Sequence, residues 1–286
     1  MYKPKVTIIT AVYNRVDKIE QCISSVVSQT YDNFEYIIID GGSTDGTVDV
    51  IKKYDEQIAY WYSGPDSGIY DAWNKGLSRA TGEYINFIGS DDAMLGTRVL
   101  ENVVEKIKPE DDFICGNVMV VKEKIGREFI WTVDFIKNKE NYKGGCLPIQ
   151  GAFIRKSLLD KYKFDITYRI AGDYKFFLQC YYNPSVKFAF IDEFIQYFSD
   201  DGISFKDISY LRIEDNRIYT ELCLNELTDS HLKFRGCSIK YHLKTCFKSV
   251  GIWELVQERY HVYIKGDWKK HHCNNKICRW CGRYES

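Results

Sequence analysis

A chain of 286 residues with 45% hydrophobic content can bury a full core, so disorder is excluded as its default state. No apolar stretch is long enough to span a bilayer, and residues 1–5 run straight into a strand-like segment, so a soluble, cytosolic protein is expected. The net charge of −1 hides an uneven distribution: residues 233–286 carry 12 Lys and Arg against 4 Asp and Glu, a local +8, which leaves −9 for residues 1–232.

Periodicity predicts strands and helices in strict alternation over the first part of the chain, the pattern of a mostly parallel sheet covered on both faces. Strand one falls at 5–12. Helix one follows, with Ile19, Cys22, Ile23, Val26 and Val27 at helical spacing. Strand two is 34–40, and a glycine turn at 41–46 leads into helix two at 47–54. Strand three is 59–63, the break 64–68 opens helix three at 69–80, and strand four ends at the acidic pair Asp91-Asp92. Helix four at 98–108 is followed by strands at 112–121 and 127–133, a long loop at 136–151, a strand at 151–155, and helices at 156–162 and 172–182. The segments 208–227 and 239–263 have helical spacing and form a C-terminal appendage.

Ten cysteines without a secretion signal read as reduced thiols, and all five histidines lie beyond residue 230. A general base in the region of Asp91 and Asp92 is therefore a carboxylate. Cys278-x-x-Cys281, with Cys273 and two histidines upstream, has zinc-ligand chemistry but lacks a second well-spaced pair, so a frayed basic terminus stands beside that reading. The tail's aromatics and the run 265–270 suit an anionic membrane surface or an ordinary solvated helix face.

Four acidic or glycine-rich points fall at strand-to-helix junctions: Tyr13-Asn14-Arg15, Asp40 with its turn, Asp66-Ser67-Gly68, and Asp91-Asp92. A parallel sheet gathers such junctions on one edge, where ligands bind. Paired carboxylates there hold a hard divalent ion, whose shell is completed by water and phosphate. Taken alone, Asp91-Asp92 fits a solvated helix-capping loop equally well. With the other junctions, the group fits a nucleoside diphosphate. The chain lacks the Gly-x-Gly-x-x-Gly signature of a nicotinamide enzyme after strand one.

The segments 6–14, 40–47, 65–76 and 82–92, in this order and spacing, resemble the family 2 glycosyltransferases, inverting enzymes of the GT-A fold that use nucleotide sugars. The resemblance implies an α/β, Rossmann-like, mostly parallel sheet flanked by helices. It divides the chain into a glycosyltransferase domain at 1–205, with donor half 1–95 and acceptor half 96–205, and a helical basic appendage at 206–286. It also implies roles. Thr10, Ala11, Asn14 and Gly68 border the nucleotide, Asp40 accepts the base N–H, Asp91 holds ribose hydroxyls and Asp92 holds Mn²⁺ or Mg²⁺. Gln150 and the segment 168–173 lie on the acceptor side, with Asp173 as general base, while Asp71 and Lys75 face phosphate or acceptor unless they merely cap and solvate their helix. Three positions depart from the usual pattern: Gly41, Gly64 and Ile149.

The implied activity is transfer from a UDP-hexose or UDP-N-acetylhexosamine to a saccharide acceptor, soluble or polyprenyl-linked, in surface polysaccharide synthesis. Partners are the donor and acceptor, with peripheral contact at the inner membrane face through the tail and no nucleic acid. The competing reading is a non-catalytic nucleotide-sugar sensor or interaction subunit on the same fold.

Overall fold

The computed structural model describes residues 2–122, 127–137, 149–199, 202, 207–224 and three two-residue strands at 269–270, 277–278 and 283–284. Nearly all of loop 136–151, the predicted helix 239–263 and the zinc candidates Cys273 and Cys281 lie outside these residues. Among the described residues no helix is long and apolar enough to cross a membrane.

Four parallel strands form the first half of the main sheet: β1 (Val6–Val12), β2 (Phe34–Asp40), β3 (Tyr60–Ser63) and β4 (Tyr84–Gly89). Their order is β4-β1-β2-β3, so the chain runs outward from β1 and then returns to its other side. That reversal makes a crevice beyond the β1 and β4 carboxyl ends.

The apolar runs suit such a sheet because both faces are covered. Ile9, Ile37, Ile39, Ile85 and Phe87 pack with α3 (Ile69–Leu77) on one face. Ile8, Tyr36, Ile38, Tyr84 and Ile88 pack with α1 (Ile19–Val27), α2 (Thr47–Lys52) and α4 (Val99–Val104) on the other. Each fully buried aliphatic side chain contributes about 1.5–3 kcal/mol.

The second half is mixed. β8 (Ala152–Arg155) runs antiparallel to β4 and to β6 (Phe113–Lys122), which also pairs with β7 (Arg127–Trp131). A twelve-residue strand, β9 (Phe188–Ser199), lies parallel to β6 and also pairs with the short β5 (Ala93–Met94). Neither β5 nor β9 is predicted by the sequence reading. The alternation through Ile191, Ile195 and Tyr197 was the available signal for β9, but two acidic residues interrupt it.

Helix α5 (Lys156–Tyr162) has the expected bounds, and α6 (Gly172–Tyr181) starts where the spacing places it. Helix α7 (Ile208–Glu221) puts Ile218 and Tyr219 into the same core cluster as α3 and α6.

Two buried polar devices fix β8 and its approach. Arg155 reaches Glu83 at 2.5 Å, Asp112 at 3.1 Å and the Tyr84 hydroxyl at 2.6 Å, joining three strands at one end. The amide of Asn86, fully buried on β4, donates to the carbonyls of Gln150 (3.0 Å) and Ala152 (2.8 Å), and its own oxygen accepts from Gln196 on β9 (2.7 Å). The turn Ile149–Gly151 is thereby held against the sheet centre.

Candidate active site

The register aligns the strand ends: Val12 lies beside Asp40, Asp40 beside Ser63, and Ala11 beside Gly89. The four sequence junctions therefore meet on one edge, and the local bonds set what each side chain can do there.

Asp40 is fully buried and its carboxylate is occupied by its own loop. Oδ2 accepts from Gly42 N (3.0 Å), Ser43 N (2.9 Å) and Ser63 Oγ (2.6 Å), and Oδ1 accepts from Ser43 Oγ. These bonds shape the 40–43 turn. Asn14, in the left-handed region at φ 49°, accepts from Thr44 N at 2.9 Å, while its own N–H meets Ser43 Oγ at 2.7 Å. Thr10 is buried under α1 and bonds the Tyr36 hydroxyl at 2.9 Å, away from the strand end, whereas Ala11 is half-buried one residue nearer the crevice.

What stands beyond β2 is Asp66. Gly41 has no side chain, and a Cβ built there would lie 2.7 Å from Asp66 Oδ2 and 3.4 Å from the Tyr13 ring. Asp66 Oδ1 accepts from Gly68 N at 2.8 Å, and Gly68 at φ 114° opens α3. Asp71 accepts from Ser67 N at 3.0 Å and pairs with Lys75 at 3.0 Å, and that backbone bond leads the causes that lower its carboxyl pKa. Lys75 also donates to the Pro65 carbonyl. These two residues close the 65–68 turn onto α3.

Beyond β4, Asp92 is 2% exposed. Its oxygens accept from Gly89 N and, across the sheet, from Ser199 N, each at 3.1 Å. Asp91 is half-buried at the same turn. Burial, then the charge of Asp91, push the Asp92 carboxyl well above its usual range. A cation beside the pair relieves both terms. Among the described residues no group of three or more His, Cys, Asp or Glu converges, so the chain offers two carboxylates and leaves the remaining positions to phosphate and water. That donor set fits Mg²⁺ or Mn²⁺.

Asp173, which the sequence reading puts on the acceptor side, sits in the first turn of α6, half-buried. Its Oδ1 accepts from the Tyr70 hydroxyl on α3 at 3.0 Å and from Tyr174 N at 2.9 Å. Burial raises its carboxyl to about 6, against the lowering by the Tyr70 bond. A Cβ on Gly172 would meet the Tyr70 ring at 2.8 Å, so glycine there lets the two helices approach. Gln150 contributes its carbonyl to Asn86 and keeps a half-buried side chain. Asn86 and Gln196 were not singled out from sequence, and Asp66 was read there as one of the four junction points without a role of its own. For Asp66, the conjunction of Gly41 with a carboxylate one strand later was the signal.

A mostly parallel sheet flanked by helices, with two carboxylates at the turn beyond β4, is an arrangement of the GT-A type. Residues 7–163 match the family model described as glycosyl transferase family 2, and the chain belongs to that family. A PGL/p-HBAD biosynthesis glycosyltransferase of Mycobacterium bovis is 28% identical over 192 residues, 65% of this chain and 73% of that protein. The putative teichuronic acid biosynthesis glycosyltransferase TuaG of Bacillus subtilis is 45% identical over 94 residues, 32% of this chain and 37% of that one. Among solved structures, S. aureus TarS in complex with UDP superposes with a TM-score of 0.55 at 20% identity over 68% of this chain. The mannosyltransferase PcManGT from Pyrobaculum calidifontis, in complex with GDP-Man and Mn²⁺, gives 0.57 at 20% identity over 72%. The chain spans 60% and 59% of those two solved chains, and the likeness establishes the fold.

Proposed function

We propose that this chain transfers a hexose or N-acetylhexosamine from a UDP-linked donor to a saccharide acceptor, free or lipid-linked, with inversion at the anomeric carbon, in surface polysaccharide synthesis. The observation that carries the reading is Asp173. It is a half-buried carboxylate raised to about 6 and aimed by Tyr70, a group poised to take a proton near neutral pH. The relatives' names, which include teichuronic acid and PGL/p-HBAD biosynthesis, support the polysaccharide or glycolipid setting.

In this mechanism Asp173 accepts the acceptor hydroxyl proton as that oxygen attacks the anomeric carbon from the face opposite the nucleotide. The bond to the nucleoside diphosphate breaks in the same displacement. The geometry leads us to amend the donor roles. Asp91, at the mouth of the turn, is assigned to the metal and ribose side. Asp92, behind it with both oxygens on backbone amides, holds the turn and adds negative charge. When bound, Mn²⁺ or Mg²⁺ supplies Lewis-acid neutralisation of the departing diphosphate.

With Asp40 occupied, the base N–H falls to Asp66, whose Oδ2 lies over Gly41 beside the Tyr13 ring. Oδ1 also accepts from Gly68 N, and the carboxylate keeps acceptor capacity for the N–H of a uracil base. Ala11 and Gly68 line the approach. Lys75 and Asp71 support the turn, and Gln150 faces the acceptor.

A thermal-shift screen of UDP and GDP sugars, each with and without Mn²⁺, tests the proposal. The expected result is stabilisation by a UDP sugar that requires the metal. A response to GDP sugars alone would remove the base assignment, and no response to any donor would remove the reading.

A further inference from the structure

Helix α7 lies past the residues that match the family model, yet it is bonded to the segment that delivers Asp173. Glu214 is 3% exposed. Its Oε1 accepts from Arg169 N at 2.6 Å, and its Oε2 accepts from Ile170 N at 2.9 Å and Ala171 N at 2.8 Å. These three successive amides lead directly into α6. They precede Gly172, the first residue of α6, where no N-cap side chain of that helix reaches, and a carboxylate on another helix binds all three. Burying a carboxylate is costly, and three charge-assisted bonds are what offset it.

We propose that Glu214 is a positioning residue for Asp173, holding the 169–171 segment so that the first turn of α6 presents its carboxylate to the acceptor. The proposal rests on the reading of Asp173 as base.

Three further contacts tie α7 to α6 and to the segment before it. The Tyr219 and Tyr174 hydroxyls meet at 3.0 Å, and Glu221 takes Lys175 at 2.6 Å and the Tyr168 hydroxyl at 2.9 Å. The clamp is therefore part of a helix pair, which a lone surface ion pair would not provide.

Glu214 also acts through its charge. The titratable groups facing Asp173 are Tyr70 from α3 and, from α7, Glu214 and Asp215, with Arg212 acting on Asp215. The Glu214 charge adds to burial in raising Asp173, and Asp215 is itself raised to about 7 by burial and by these two neighbours. Removing the Glu214 charge lowers the Asp173 pKa. Activity that needs ionised Asp173 then persists to lower pH.

The test uses the full chain in wild-type, Glu214→Gln and Glu221→Gln forms, with two readouts. Amide hydrogen exchange is measured at residues 169–171 and, for reference, in β2. Nucleoside diphosphate release is followed against pH with UDP-glucose, UDP-galactose and their N-acetyl forms in the presence of Mn²⁺.

In Glu214→Gln the 169–171 amides are expected to exchange about tenfold faster or more, with β2 unchanged. The acid limb of the rate profile is expected to move to lower pH. Glu221→Gln, which loosens α7 without touching those amides, is expected to leave the limb in place. Unchanged exchange at 169–171, or a Glu214→Gln limb coincident with wild type, would overturn the proposal. Failure of the base reading appears separately, as Asp173→Asn turning over at the wild-type rate, and is distinct from unchanged exchange at the clamp.

Discussion

Tyr70 and Asp173 stand 103 positions apart, yet the phenol hydroxyl lies 3.0 Å from Asp173 Oδ1 and 2.5 Å from the Ile170 carbonyl, its one proton shared between the two acceptors. One hydroxyl thus links the helix that follows the 65–68 turn to the helix that carries the proposed base.

Replacing Tyr70 with Phe removes a donor that favours ionised Asp173, so the carboxyl is expected to rise above about 6. The base works only when ionised. Turnover of Tyr70→Phe should fall several-fold near pH 6 and recover towards wild type near pH 8, as a pH–rate series on the UDP-sugar reaction would record.

Asp173→Asn keeps the shape and the Tyr70 contact but cannot take a proton. Transfer should drop by about a hundredfold or more while the metal-dependent thermal shift with donor stays intact. Loss of both together would mean that Asp173 serves the donor site or the fold.

Asp91 and Asp92 should separate under substitution. In Asp92→Ala the Gly89 and Ser199 amides lose their acceptor, each at about 1–3 kcal/mol, so the melting temperature without ligand should fall by several degrees. Asp91→Ala should abolish the Mn²⁺-dependent increment. A reversed pattern in calorimetry would restore the metal to Asp92.

For Asp66→Ala, the expected effect is on donor affinity. The KM for the UDP sugar should rise about tenfold with kcat at saturation little changed, because a base contact is made equally in ground and transition states. An unchanged KM would put the base elsewhere.

Gly172→Ala tests how closely α6 must approach. The added methyl meets the Tyr70 ring at 2.8 Å, and relieving that overlap should cost about 1–3 kcal/mol and displace the hydroxyl from Asp173. Lower thermal stability together with lower kcat is the expected result.

The donor half was legible because β1, β2 and β4 are continuous apolar runs buried on both faces, punctuated by turns whose chemistry is local. The predicted bounds of β2 and α5 coincide with the observed ones. Less legible was anything set by distant partners. Nothing in the local sequence tells that Asp40 is consumed by Ser43 and Ser63, or that Asp92 reaches Ser199 across 107 positions. Glu214 reads as one more acid on a polar helix, and only the packing of α7 turns it inward. The Asp192-Glu193 pair hid β9 because exposed charge at a strand bend masks alternation.

The Asn86 bridge has a consequence for how such a chain diversifies. Residues 149–151 are fastened to the middle of β4, and Ile136 on the near side is buried with its carbonyl bonded to the Tyr181 hydroxyl at 2.6 Å. Substitution at Asn86 or Tyr181 therefore disturbs the backbone of residues 149–151 or of Ile136, so these two positions are expected to be among the last to change as such a chain diversifies.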